Sequence, residues 1–242
     1  MSASLVPLAG LVMLAFLVET AAGFGSAVVA LTLGGLFLPL PWLMAVLVPV
    51  NMLVSAVVLA RDRSALDSRL LTRRVLPAML AGLAVGLWAF GALPSSQLSR
   101  AYALFVVALA GIELWRSQAR PAPLSRGWTW AWLFAGGLIH GLFTASGPLV
   151  VFVMSRSTPD KRSFRANLAA IWLVLNGVWL ASYAARGLLT AKLGVAALCL
   201  LPPMALGMVL GELLHRRLAP ARFRTAVYSL VLAGGLSLLV TG

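Results

Sequence analysis

The strongest constraint on this chain is that its apolar residues come in runs about as long as a membrane is thick. Crossing about 30 Å of hydrocarbon takes roughly 20 apolar residues in helical form, and such runs fall at 43–60, 75–93, 101–115, 166–185, 193–214 and 224–241. Two further apolar stretches, 5–38 and 127–155, are too long for one span. Each is interrupted near its middle, by AAGFGS at 21–26 and by TASGP at 144–148. Glycine and proline end regular helix there, so each stretch is expected to form two short helices meeting at a break. Only 10% of the 242 residues are charged, 61% are hydrophobic and the mean hydropathy is +0.98, whereas a soluble domain carries about 25% charged residues. The chain therefore reads as an all-α integral membrane protein. Its start, MSASLVPLAGLVMLAF, lacks a basic n-region and a small-residue cleavage site, and is read as the first membrane segment.

The two halves resemble each other. At an offset of 125 residues Asn51, Arg61, Pro77, Gly82 and Gly86 meet Asn176, Arg186, Pro202, Gly207 and Gly211 in one register. An offset of 122 superposes Gly25 on Gly147 and brings the two breaks together, as a three-residue difference in loop length requires. These coincidences indicate a duplication, with a first transmembrane repeat over 1–118 and a second over 119–242 forming one membrane domain.

Loop charge decides the orientation of the repeats. Lys and Arg total 19 against 6 acidic residues, a formal net charge of +13, and in so apolar a chain this excess is first a matter of basic cytoplasmic loops rather than of nucleic acid. If each broken stretch crosses once, the basic residues divide nearly evenly. If each goes in and comes back, as a re-entrant pair or as two short spans, only Arg100, Arg186 and Lys192 are outside and 16 basic residues are inside. The second arrangement obeys the positive-inside rule. It makes two inverted five-element repeats, each a broken or re-entrant helix pair followed by three transmembrane helices, with both termini outside the cytoplasm. Cytoplasmic loops then fall at 61–74, 116–126, 156–165 and 215–223.

Both breaks place a helix start inside the membrane. Gly23 and Gly25 permit backbone geometry closed to other residues, and a new helix can begin at Ser26. In the second break Pro148 suits a first helical turn, with Thr144 and Ser146 upstream as cap-like hydroxyls. Free N–H groups at a helix start, with the positive end of its dipole, suit an anion. In an inverted repeat both starts are expected to face one substrate at the midplane, with donors near Gly23, Gly25, Ser26, Thr144, Ser146, Gly147 and Leu149. The plain alternative is that the glycines only let helices pack closely.

Glu19 lies six residues before Gly25 and His140 seven before Gly147. Ionisable groups at membrane depth are rare unless they face a cavity or a partner, so these two are candidates to carry a coupling proton. The bland readings are an interfacial glutamate and a hydrogen-bonded packing histidine. Asn51 and Asn176 are equivalent by the repeat, and Trp172, Asn176, Trp179 and Tyr183 share one helical face. Either amide is helix glue or a cavity-facing group. For Ala78, Gly82, Gly86 and Pro203, Gly207, Gly211, at four-residue spacing, packing is the reading; for Arg156, Lys161, Arg162 and Arg165, topology rather than an anion gate. The single Cys199 excludes an internal disulfide. No nucleophile with a base, metal set or cofactor motif stands out, so the expectation is no enzyme, no catalytic residue, no metal and no cofactor.

AGFGS at 22–26, GLIHGLFTASGP at 137–148, the basic KRSFRA at 161–166 and the two similar halves resemble the TauE/SafE, or TSUP, family of sulfite exporters. The family pattern tends to have a third glycine where this chain has Ser26, and Gly-Gly-Pro where it has Ser146, Gly147 and Pro148. The resemblance implies transport of sulfite or sulfonates across a bacterial inner membrane. The residues themselves point to a secondary anion transporter with proton coupling. A passive anion channel of the same fold and a non-transporting membrane scaffold are the alternatives. The expected partners are a small anion and the bilayer, and a homodimer is an assembly the sequence leaves open.

In a background lacking Cys199, cysteines placed at Ser96 and at the C-terminus are expected to react with an impermeant reagent added outside the cell, and those at Ser68 and Ser125 to stay protected. Outside labelling at Ser68 overturns this topology.

Overall fold

A computed structural model describes residues 2–22, 25–115, 124–158, 160–215 and 220–241. Of the expected cytoplasmic loops, 116–123 of the one at 116–126 and 216–219 of the one at 215–223 lie outside these. The first half runs through α1 (Ser2–Ala22), α2 (Ser26–Gly34), α3 (Leu40–Asp62), α4 (Ser68–Leu70) continuing by a π turn into α5 (Leu76–Ala92), and α6 (Ser95–Trp115). The second half repeats that order with α7 (Arg126–Phe143), α8 (Gly147–Ser157), α9 (Lys161–Ala185), α10 (Ala191–Cys199) followed directly by α11 (Leu201–His215), and α12 (Pro220–Thr241). Among the described residues there is no strand. Among the described residues five helical stretches are long and apolar enough to cross a membrane: Leu40–Ala65, Ser68–Ala92, Ser95–Trp115, Lys161–Ala185 and Ala191–Leu214. The sixth expected span lies in α12, whose Thr225–Val240 forms a shorter apolar helix.

The breaks fall where the glycine signals put them, but their arms are unequal. α1 has 21 residues and α7 has 18, lengths of about 31 and 27 Å at 1.5 Å per residue. α2 has 9 and α8 has 11, about 14 and 17 Å, too short to cross the hydrocarbon alone. The expectation of two short helices in each stretch is thus corrected to one long arm and one short arm. α2 stops early because its ninth residue, Gly34, is followed by Gly35 and then Pro39. α8 stops at Thr158, which is extended (φ −129°, ψ 102°), as the residue before a proline prefers to be.

The chain forms two compact units, each drawing on both halves of the sequence: Met1–Val46, Leu93–Gln118 and Ala191–Gly242 in one, Leu47–Ala92 and Ala119–Thr190 in the other. In the first, α11 lies on α1 so closely that a Cβ at Gly207 would overlap the Met13 carbonyl, and one at Gly211 would stand 2.6 Å from the Leu17 carbonyl oxygen. In the second, α5 lies on α7 in the same way, with Gly82 against the Phe134 carbonyl and Gly86 against that of Leu138. Gly137 and Gly141 of α7 return the contact to the carbonyls of Met79 and Leu83. These glycines are packing residues, as their spacing suggests.

Their contacts also correct the register of the breaks. Met13 and Phe134, Leu17 and Leu138, the helix ends Ala22 and Phe143, and the helix starts Ser26 and Gly147 are each 121 residues apart, not 122. The break sequences GS and SG had suggested aligning glycine with glycine. The backbone instead aligns Gly25 with Ser146, Ser26 with Gly147, and Glu19 with His140.

Polar clasps complete each unit. In the first, the buried Tyr102 hydroxyl of α6 donates to the Val28 carbonyl at 3.0 Å and takes the hydrogen of Thr32, also at 3.0 Å, which holds α2 in place. The second packs Met79, Leu83, Leu133, Val150, Met154, Ile171 and Leu175 as its core. There Asn167 Oδ1 accepts the Asp67 N–H at 2.9 Å, and Arg162 Nε pairs with Asp62 at 2.9 Å. Asp160 caps α9 through the N–H groups of Arg162 and Ser163. Hydrogen bonds from the Ser163 side chain, and then from those two backbone groups, hold its carboxyl below the usual carboxylate range.

Gly82→Ala and Gly207→Ala are each expected to lower stability by about 1–3 kcal/mol, since backbone atoms must shift to admit the methyl group. Gly111→Ala, where the new atom meets nothing within 4 Å, should be neutral or stabilising by about 0.5–1 kcal/mol. Thermal unfolding in detergent compares the three.

Candidate functional site

At the second break α7 ends on Thr144, whose N–H bonds the His140 carbonyl at 2.8 Å and whose φ of +53° is left-handed. Among the described residues it is the one non-glycine with positive φ. A β-branched residue there is strained by about 1–3 kcal/mol, and such strain persists only where the surroundings impose it. Two residues later Ser146 occupies the N-cap position of α8, yet its side chain makes no capping bond. Its hydroxyl instead stands 3.0 Å from His140 Nδ1. The expectation of Thr144 and Ser146 as cap-like hydroxyls is therefore corrected: the first closes α7 through its backbone, and the second is taken by a side chain.

His140 joins α7, α8 and α9. Its Nε2 is 3.1 Å from Asn176 Oδ1, and the Trp172 ring stacks on the imidazole at 5.8 Å between centroids and 8° between planes. His140, Ser146 and Asn176 are 1%, 1% and 4% exposed. The expected face of α9 forms as well, with Trp179 stacked on Tyr183 at 5.0 Å and tilted against Phe90 at 5.7 Å. Trp179 Nε1 is buried with no hydrogen-bond partner. A buried donor left alone costs about 1–3 kcal/mol, and marks a place where a water or solute can bind.

Because Ser146 does not cap, the first-turn N–H groups of Gly147 and Leu149 have no side-chain partner from it. Pro148 has no N–H to offer. A Cβ at Gly147 would meet nothing within 4 Å, so there is room in front of this turn.

At the first break Gly25, with φ +109°, holds the N-cap position of α2. The Glu19 carboxyl group is hydrogen-bonded to the hydroxyl and the backbone N–H of Ser26. Glu19 and His140, equivalent in the packing register, thus each hold the serine hydroxyl of the adjoining helix start. Gly23 lies outside the described residues. Asn51 sends its amide hydrogen to the Leu47 carbonyl of its own helix at 3.2 Å, so the two repeat-related amides do different work.

Of the basic cluster, Arg162 is paired with Asp62, and Arg156 bonds the Phe152 carbonyl and lies over its ring, 3.7 Å from the centroid. Among the described residues no three His, Cys, Asp or Glu side chains converge as metal ligands. Sequence reasoning missed three things: Trp172 as the wall of the histidine, the unpartnered indole N–H of Trp179, and the fully buried Asn167 clasp. The α9 periodicity gave a signal for the two tryptophans, and nothing marked Asn167.

A buried polar cluster at a helix break in a multi-pass membrane protein is an arrangement that membrane transporters use. The chain belongs to the sulfite exporter TauE/SafE family, whose model matches residues 8–238. It is 30% identical over 173 residues to a probable inner membrane transporter protein TsaS of Comamonas testosteroni, covering 68% of this chain and 69% of that protein. It is 26% identical over 231 residues to a probable sulfite/organosulfonate exporter TauE of Cupriavidus necator, covering 93% of this chain and 89% of the relative. No solved structure matches it.

Asn176→Leu keeps the side-chain size but orphans His140 Nε2, and should cost about 1–3 kcal/mol. Trp179→Phe removes a donor that has no partner and should be neutral or stabilising in the absence of solute. Thermal melts of the two variants test the contrast.

Proposed function

We propose that this protein is a secondary transporter of small anions, sulfite or organosulfonates, in the bacterial inner membrane. The substrate is bound at mid-membrane depth at the helix breaks, and its movement is coupled to protons carried by Glu19 and His140. What carries the reading is the second break, where a strained Thr144, an uncapped α8 start and the buried His140, Ser146 and Asn176 lie together. The names of the two relatives support the substrate class and the membrane. The repeats over 1–118 and 119–242 are inverted on this reading, with both termini outside the cytoplasm, as the 16 to 3 division of basic residues favours. A homodimer is compatible with it.

Neutral donors suit such a task. Each hydrogen bond to a charged group contributes about 1.5–3 kcal/mol, so the backbone N–H groups of Gly147 and Leu149 hold an oxyanion firmly enough to select it. They carry no fixed counter-charge to prevent its release. Gly25 and Ser26, with Gly23, Thr144 and Asn51, form the rest of the proposed binding set. The names of the two relatives favour transport over chemical conversion of the anion as its role.

In proteoliposomes, an imposed pH gradient should drive uphill accumulation of a sulfonate, whereas a passive channel of this fold would only dissipate its gradient. Glu19→Gln should abolish proton-driven accumulation and leave anion binding in place, and His140→Gln should slow transport less. Gly147→Val should remove binding by filling the open space before α8, without the backbone strain that a side chain at Gly25 would bring. If Gly147→Val binds as well as wild type, and no anion of a sulfite, sulfate, sulfonate and carboxylate panel raises the wild-type melting temperature, the scaffold reading replaces this one.

A further inference from the structure

His140 is the joint of a three-residue chain in which each ring nitrogen has one neighbour: Nε2 faces Asn176 Oδ1 at 3.1 Å, and Nδ1 faces the Ser146 hydroxyl at 3.0 Å. The amide oxygen is an acceptor, so the hydrogen of the neutral ring sits on Nε2. Nδ1 is then a lone pair, and the Ser146 hydroxyl must donate to it. In that state the serine has no hydrogen left for anything else. When the ring takes up a proton, Nδ1 becomes a donor, the Ser146 oxygen accepts from it, and the hydroxyl hydrogen must turn to another acceptor.

We propose that protonation of His140 at Nδ1 transfers the Ser146 hydroxyl hydrogen from the ring to the transported anion, so that one proton and one anion load together. This rests on the anion site proposed above and gives the part of its coupling that falls to His140, beside that of Glu19. The proton comes from the aqueous phase that delivers the anion, resides on Nδ1 while the anion is held, and leaves with it. No covalent bond other than N–H is made or broken. Asn176 acts as a positioning residue: by accepting from Nε2 in both charge states, it reserves the change of role for Nδ1 alone.

The surroundings isolate this titration. α5 has no ionisable side chain, and the π turn before it places Arg73 and Arg74 nine or more residues from Leu83, whose carbonyl meets Gly141, or about 14 Å or more along the helix. α8 contributes only Arg156, ten residues beyond Ser146 and about 15 Å away along the axis. α9 carries Lys161, Arg162 and Arg165 near its start, then nothing ionisable before Tyr183, seven residues from Asn176, and Arg186 at its C-cap, which donates to the Leu87 carbonyl of α5 at 3.0 Å. α7 itself has Arg126, fourteen residues before His140. Within one turn of His140, Ser146 and Asn176 along their own helices there is no charged residue. Arg186 is the cation that reaches α5 at Leu87, beside the Gly141 contact, and a proton gained at the ring finds its counter-charge in the anion.

The test uses the full-length protein in detergent or nanodiscs, with methanesulfonate as probe, because its charge is constant between about pH 5 and 8. Wild-type affinity should rise about tenfold for each unit that pH is lowered above the ring's own titration, which is the linkage signature of one proton per anion. Calorimetry in buffers of different ionisation enthalpy should count the same proton. Ser146→Ala should weaken binding about tenfold at low pH and flatten the pH slope to below about twofold per unit. Ser146→Thr, which restores the hydroxyl, should recover the slope, and His140→Gln should lose it. If Ser146→Ala binds more weakly but keeps the tenfold slope, the histidine acts by its charge alone and the hydroxyl route is wrong. A wild-type affinity independent of pH also overturns the route while leaving the anion site standing. Wild-type affinity and slope in both Ser146→Ala and Gly147→Val would remove the site itself.

Discussion

In lipid, apolar side chains gain nothing by leaving an apolar solvent, so helices associate where their backbones can come close. The glycines of α5 and α11 provide that approach, each setting a bare Cα against a carbonyl of α7 or α1. Everything else in each unit follows from this contact. It fixes the long arm of each broken pair, and the long arm ends in the residues that hold the break: Glu19 three residues before the end of α1, His140 three before the end of α7. A side chain at Gly82 or Gly207 would therefore displace a helix and, with it, the polar group that helix carries.

The two breaks solve one problem with exchanged residues. Each has a helix start that lacks a conventional side-chain cap. Each has a serine at that start bound by the ionisable group of the preceding helix, and the order is Gly-Ser in one and Ser-Gly in the other. The exchange follows from backbone geometry: Gly25 takes the left-handed N-cap at φ +109°, whereas at the second break the left-handed residue is Thr144 and the N-cap is free to be serine. A carboxyl group at one position and an imidazole at the other give the breaks opposite charge logic. On the proposed reading a deprotonated Glu19 would compete with an anion for the Ser26 donors, while a protonated His140 would recruit one through Ser146. Protonation would then favour the anion at both breaks, as the proposed coupling requires.

The chain belongs to the sulfite exporter TauE/SafE family, and the binding proposed here is of a kind that a small anion can use. Binding through backbone N–H groups and one switchable hydroxyl is suited to a small oxyanion, whose several oxygens accept hydrogen bonds from a short arc of donors. The aromatic face of α9 adds a stacked wall and a buried indole N–H without adding charge.

Much of this architecture was legible in the chain itself. Apolar run length marked the spans, because bilayer thickness sets helix length, and Gly-Phe-Gly-Ser or Ser-Gly-Pro in an otherwise apolar run marked the breaks to within a residue or two, because such residues favour ending one helix and starting another. The packing role of Gly82, Gly86, Gly207 and Gly211 was readable from four-residue spacing, since that spacing puts small residues on one face. Three things needed the tertiary structure. The unequal arms depend on where each helix finds its partner, a long-range matter. The register of 121 came from which carbonyl each glycine meets, and matching letter to letter had misplaced it by one. The chain of Asn176, His140 and Ser146 joins residues up to 36 positions apart on three helices. Periodicity can put Asn176 and Trp172 on one face of α9, but only the fold brings a particular histidine to that face with a hydroxyl on its other nitrogen.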